Sequence, residues 1–443
     1  MALTQQVAAI SDEEILAYIR KNNYKDEQGQ LILRDKLQNL PAAWDFNNNG
    51  KWDGFIPDCY FNFDSEGFDR DAGGKYTGWR AFAYHLFPGT FWPTNGSTDD
   101  VLIRLPVIFQ QNEQGEFDLQ IYKTNLAIVE ALIKRQDVTE GLAHKIVYDW
   151  APLKGRYMSY VGKAKQERLA AGLFPLGTEF LHSVRYIDFD NQGNIKLAAR
   201  MKELRYARKK SWRTYSQLED AVLHEIKEAH DFPERLELIT GNMENGVSNK
   251  LGWNLQGFIE DAQGDLRPQT YEEHVFCVGC HSTIGAITDS TFAFARKLPS
   301  DSGWYHWSQK SLKGLPEPRR RDGQYEFSFY LEHNGAGDEF RANQEVIKRF
   351  FNKDGSLKPD RIAALHKDVS LLLWPSRERA LQLNKAYRVI VEEQSFKEGR
   401  DASVSPPENV HRKVVDDEST GIQRLNAISS RHGRKTLMIE EFY

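Results

Sequence analysis

Thr270-Tyr-Glu-Glu-His-Val-Phe-Cys277-Val-Gly-Cys280-His281-Ser282 is the stretch on which the reading of this 443-residue chain turns. Its core is C-x-x-C-H. Two thiols at this spacing add across the vinyl groups of a haem to form thioethers, and the adjacent imidazole becomes an axial iron ligand. The spacing has a geometric cause. Thr270 and Glu273 form a capping box, so a helix is expected to begin at Tyr271 and to bring Cys277, Cys280 and His281 onto one face at i, i+3 and i+4. Two other chemistries use the same thiols. A zinc site needs two further ligands, and with no second C-x-x-C or C-x-x-H in the chain, Cys59 and a distant His would have to complete it. A redox-active dithiol normally follows a strand of a βαβ unit, whereas polar, helix-capping residues precede this one.

Around that motif the composition is globular. Hydrophobic residues make up 40% and charged residues 27%, which excludes a disordered or collagen-like chain and leaves material for one or more buried cores. Lys and Arg number 58 against 63 Asp and Glu, and the net charge of −5 disfavours a general nucleic-acid binder. The three cysteines, Cys59, Cys277 and Cys280, are too few to staple a chain of this size. No window approaches the ~20 apolar residues of a transmembrane helix. Met1 to Ile10 also lacks a charged start, a long apolar stretch and a cleavage site. With no G-x-S-x-G, G-x-x-x-x-G-K, H-E-x-x-H or helix-opening G-x-G-x-x-G, hydrolase, nucleotide-binding and nicotinamide functions have no support.

The expected fold class is α+β, a mainly helical haem-binding body with small antiparallel sheets and long ordered loops. Four regions are expected. Residues 1–100 hold an N-terminal helix and a Gly/Asp/aromatic-rich loop region. Residues 101–260 are mixed, 261–400 bind the haem, and 401–443 form an extended tail. Ser11-Asp-Glu-Glu14 is a capping box that starts a helix running to about Ile19. Strands are expected at Val101–Val107 and Phe117–Tyr122, and Thr124 should open a helix over 125–135. Further helices are expected at 138–148, 155–171, 215–229, 271–281, 288–296, 341–351 and 376–393. Asn191-Gln-Gly-Asn194 and Asp261-Ala-Gln-Gly264 each read as the turn of a hairpin.

Asp45-x-Asn47-x-Asn49-Gly50-x-x-Asp53 matches the first nine positions of an oxygen-rich calcium loop, with Gly50 where the chain turns sharply. Ile56 stands where a bidentate Glu belongs, so Asp58, or Asp64, Glu66 and Asp69, would have to replace it. The alternative is an Asn/Gly-rich turn whose side chains cap their own backbone.

With these motifs the chain resembles a c-type cytochrome, and most closely the large mono-haem cytochromes among exported bacterial proteins, which pair an acidic, Gly-rich N-terminal part with one haem motif. The resemblance covers the C-V-G-C-H segment and residues 45–100. It implies haem c held by Cys277 and Cys280, His281 as the proximal ligand, a periplasmic or otherwise exported location, single-electron transfer and a redox partner protein. Small electron carriers close the haem with a downstream Met, yet none occurs between His281 and Met438. The second axial position is therefore open or filled by His333, His306 or Met243. An open position, and the large amount of protein for one haem, keep a peroxidase- or oxygenase-like haem enzyme as the alternative. Arg200, Lys202, Arg205, Arg208, Lys209, Lys210 and Arg213, and separately Arg319 to Arg321, are basic runs that either pair with propionates or an acidic partner, or form solvated faces. Trp304 and Trp307 either pack against the haem edge or, as is more usual, belong to the core; His274 either tunes the haem from a similar helical face or is an ordinary surface residue.

Overall fold

The computed structural model of the chain describes residues 3–86, 96–134, 138–140, 146–148, 159–232, 239–275, 289–291, 297–298, 303–305, 307, 309–320, 322–334 and 344–396. Among these, nine antiparallel strands form one sheet. One wing holds β1 (Phe68–Arg70), β2 (Tyr76–Phe82) and β3 (Thr98–Arg104). A separate ribbon pairs β4 (Val138–Glu140) with β5 (Ile146–Tyr148). The centre of the sheet is the hairpin of β6 (Glu179–Phe189) and β7 (Ile195–Lys209), paired from Glu179↔Arg208 to Phe189↔Ile195 with register shifts on both sides of Arg185. The other wing holds β8 (Thr240–Asn242), β9 (Gly246–Ser248), β10 (Trp253–Glu260) and β11 (Leu266–Pro268), and β10 lies against β7.

Successive side chains on these strands enter opposite cores, as the period of two requires. On β3, Val101 and Ile103 belong to one core and Leu102 to the other; on β6, Phe180 and Leu181 divide the same way. The first core lies under α4 (Leu119–Lys134) and continues into α6 (Glu326–Asn334), α7 (Gln344–Phe350), α8 (Pro359–Leu365) and α9 (Ser370–Leu373). The second is closed by α3 (Ile32–Gln38) together with Trp44, Trp52, Phe55, Tyr60, Phe61 and Phe63. The aromatics of this N-terminal stretch thus serve as the lid of a sheet, with Trp52 buried and the other five rings partly buried against it. A third core joins α2 (Asp12–Arg20) and α10 (Arg377–Glu393) to the turn end of the β6–β7 hairpin. α1 (Leu3–Ala9) packs on α10, and α5 (Tyr215–Asp231) follows β7.

A mainly helical body with small sheets is therefore not what the chain forms; the sheet organises it, and strands β1 and β2 lie inside the stretch expected to be loop. Three expected elements differ. The alternation Phe117-Asp-Leu-Gln-Ile-Tyr122 suggested a strand, but Asp118 accepts the Gln120 and Ile121 amides at 2.8 and 3.0 Å and starts α4 at Leu119. Residues 138–140 and 146–148 are strands rather than one helix, and within 155–171 the described portion holds only a 3-10 turn at Gly162–Gln166. The capped helices at Ser11, Thr214 and Ser376 and both hairpin turns form where the sequence places them. The tail from 401 lies outside the described residues.

Candidate functional site

Cys277, Cys280 and His281 lie outside the described residues, but the chain on either side of them is fixed. The lead-in is the expected capping box: Thr270 Oγ1 accepts the Glu273 amide at 3.3 Å and Glu273 accepts the Thr270 amide at 2.8 Å, and residues 271–275 are helical. Arg267 clamps Glu273 with two hydrogen bonds of 2.8 Å, holding that carboxyl below its usual range against the opposing effect of burial.

His274 is neither a surface residue nor free to tune a cofactor. Its Nδ1 lies 2.8 Å from the Thr270 carbonyl, and its Nε2 accepts the Gly257 amide at 2.9 Å. Both nitrogens are used and the ring is buried, so its pKa falls and it stays neutral. Gly257 itself leaves room for the Gln269 side chain, since a Cβ built there would stand 2.0 Å from Gln269 Oε1.

After the motif the chain is held again at Asp289. Its carboxylate pairs with Lys209 Nζ at 2.5 Å, with both side chains fully buried, and accepts the Phe174 amide at 2.9 Å. Burial lifts Asp289 to about 6 and lowers Lys209. The Asp289 carbonyl accepts the Trp253 indole N–H at 2.7 Å. The segment bearing the motif is thus anchored at both ends on the β7–β10 side of the sheet.

The candidate axial ligands are dispersed. His333 sits exposed in the last turn of α6, its Nδ1 2.8 Å from the Phe329 carbonyl and its ring stacked on Phe329 at 3.7 Å. Met243 is half-buried in the β8–β9 turn, and His306 lies outside the described residues. Trp304 and Trp307 are core residues, with Trp304 between Arg80 and Lys297, each 3.9 Å from its ring.

In the 45–53 loop, Asp45 accepts the Asn49 and Gly50 amides at 3.0 and 2.8 Å, and Asp53 Oδ2 accepts from the Asn47 and Asn49 side chains at 3.0 and 2.8 Å. These groups satisfy one another in an exposed turn. Asp58 bonds the Trp79 indole and Arg104, Glu66 pairs with Lys123, and Asp64 and Asp69 accept backbone amides. Among the described residues no group of three or more His, Cys, Asp or Glu side chains is placed to hold a metal ion. Cys59 is fully buried and its thiol pKa is pushed up by burial and Asp69, which makes it an inert core thiol.

The basic run is divided: Arg208 and Lys210 are exposed, whereas Arg200, Lys202 and Lys209 are buried in the interior. Arg200 meets Glu260 at 2.7 Å, and Glu260 also accepts from Tyr18 and Tyr186, tying α2 to the sheet. Lys202 is buried between the rings of Tyr186 and Tyr387 and donates to the Gly96 carbonyl at 2.8 Å; burial pushes its pKa down to about 7. In the second run, Arg319 and Arg320 lie over Tyr325 and Phe329. Sequence reasoning missed a further buried pair, Lys297 with Glu130 at 3.1 Å. The signal was present: Glu130 interrupts the apolar run Leu126-Ala-Ile-Val-Glu-Ala-Leu-Ile133, and a carboxylate there demands a buried partner.

A family model described as that of a lipoprotein ("-like lipoprotein") matches residues 2–367. The chain belongs to this lipoprotein family. An uncharacterized lipoprotein of Aquifex aeolicus (strain VF5) is 30% identical over 469 aligned positions, covering 93% of this chain and 76% of the relative. No solved structure matches. The expected membership among large mono-haem cytochromes is overturned by these matches, neither of which is described as a cytochrome, a haem protein or an oxidoreductase. Its family marks the chain as an exported protein, and no helix among the described residues is long and apolar enough to cross a membrane.

Proposed function

We propose that this lipoprotein-family protein carries one haem, attached through Cys277 and Cys280 with His281 as an axial iron ligand, and passes single electrons to a redox partner protein in the periplasm. The observation that carries the reading is the C-x-x-C-H string itself, whose two thiols and adjacent imidazole supply both the covalent and the coordinate bonds. Export supports it, because covalent attachment is expected outside the cytoplasm. The capping box at Thr270 and the Lys209–Asp289 pair support it as well, since they fix the chain on both sides of the motif.

A second reading, a haem-dependent oxidoreductase with an open sixth iron position, is favoured by the lack of any Met between His281 and Met438. Absorption spectra of the chain matured by a c-type haem attachment system test both. A low-spin spectrum indifferent to cyanide is the expected result. A high-spin spectrum that cyanide shifts supports the oxidoreductase. Absence of covalent haem, with thiols that bind zinc or cycle as a disulfide, contradicts both readings.

A further inference from the structure

Near the turn end of the β6–β7 hairpin, a groove of about 600 Å³ is lined by residues that include Arg20, Phe61, Arg185, Asp188, Phe189 and Lys196. It lies at the opposite end of the hairpin from Lys209 and Asp289, and it is independent of the haem motif.

Arg185 is 8% exposed and sits at the irregular register of β6. Its Nη1 donates to the Ala199 carbonyl at 2.8 Å and the Ala198 carbonyl at 3.4 Å, and Phe61 packs on the guanidinium at 5.0 Å. Among the described residues Arg185 makes no direct ion pair; the buried Asp100 carboxylate on β3 acts on it only at longer range, and burial lowers its pKa. Arg20 and Lys196 share the one acid of the groove, Asp188, at 3.0 and 3.4 Å, and about half of each of their side chains remains exposed. Three cations and one carboxylate thus line the groove beside Phe61, Phe189 and Leu197, with Asp100 acting on Arg185 from behind the lining.

We propose that this groove binds a phosphate monoester, with the dianion on Arg185, Arg20 and Lys196 and an apolar or aromatic body against Phe61 and Phe189. A monoester carries close to two negative charges at neutral pH, which suits a lining richer in cations than acids, and guanidinium forks suit its oxygens. The ester has two sources, a soluble metabolite or the headgroup of phosphatidic acid.

Calorimetric titration with phenyl phosphate, and flotation with phosphatidylcholine vesicles with and without phosphatidic acid, test the proposal and separate the sources. Saturable binding of phenyl phosphate that weakens with salt supports the soluble source. Binding to phosphatidic acid vesicles alone supports the lipid source. In either case Lys196→Glu, at an exposed position, should weaken binding about tenfold or more, and Arg185→Met should abolish it while the far-ultraviolet dichroism is kept. No binding in either arm, or binding that neither variant changes, overturns the proposal.

Discussion

The two ends of the β6–β7 hairpin treat a buried cation in opposite ways. At the open end of the strands, Lys209 is sealed with Asp289 and the Phe174 carbonyl, and no surface of either charge reaches water. At the turn end, Arg185 is nearly as buried but has no direct ion pair: carbonyls, an aromatic ring and a groove surround it, and Asp100 acts only at longer range. A matched buried pair is a clamp: its value lies in the damage that follows when one partner is lost. An unmatched one is a stored demand for an anion. The difference separates the end that anchors the motif segment from the end offered to a ligand.

Breaking the clamp has the largest expected effect. Asp289→Ala leaves the Lys209 ammonium buried and alone, and urea unfolding should show a loss of about 3–5 kcal/mol. Pairing that change with Lys209→Met should restore most of it, because the strain is the orphaned charge. A loss under about 1 kcal/mol for the single variant would remove the distinction between the two ends.

Between them sits Lys202, whose pKa is pushed from 10.5 down to about 7 by burial. Between those values the unfolded chain holds the proton and the folded chain does not, so stability rises with pH across that window and is lost as pH falls toward 7. Lys202→Met should flatten the rise measured by denaturation at a series of pH values. A slope unchanged in the variant would mean that the ammonium stays charged between Tyr186 and Tyr387.

Arg185→Met should cost less than Asp289→Ala, about 1–2 kcal/mol, because Asp100 couples to it only at longer range and no direct ion pair is broken. If it instead costs as much as Asp289→Ala, Arg185 is a clamp too. Smallest of all, Asn47→Ala in the exposed 45–53 turn should stay within about 0.5 kcal/mol by the same unfolding assay.

Local chemistry was readable where it was self-contained. Ser11 and Thr270 cap the helices they announce, the helices expected at 215–229 and 376–393 form behind caps at Thr214 and Ser376, and Asp190 and Asp261 close the turns of both hairpins with their own side chains. The sheet was hidden for the opposite reason. β7 reads Ile195-Lys-Leu-Ala-Ala-Arg-Met-Lys-Glu-Leu-Arg-Tyr-Ala-Arg-Lys209, and its charges look solvent-facing until Glu260 and Asp289, 60 and 80 positions away, neutralise them in the interior. The groove was equally illegible, since Arg20 and Arg185 meet only after α2 folds onto the hairpin. His274 shows the reverse error: spacing put it on the motif's helical face, while a backbone amide of β10 claims it for the core.

The haem proposal is tested most directly by the intact mass of the chain after export through a c-type maturation system. The account predicts the polypeptide plus one haem, stable to acid and organic extraction and lost when Cys277 and Cys280 are both changed to Ser. A bare polypeptide mass, with Cys277 and Cys280 both free to alkylate, would contradict it.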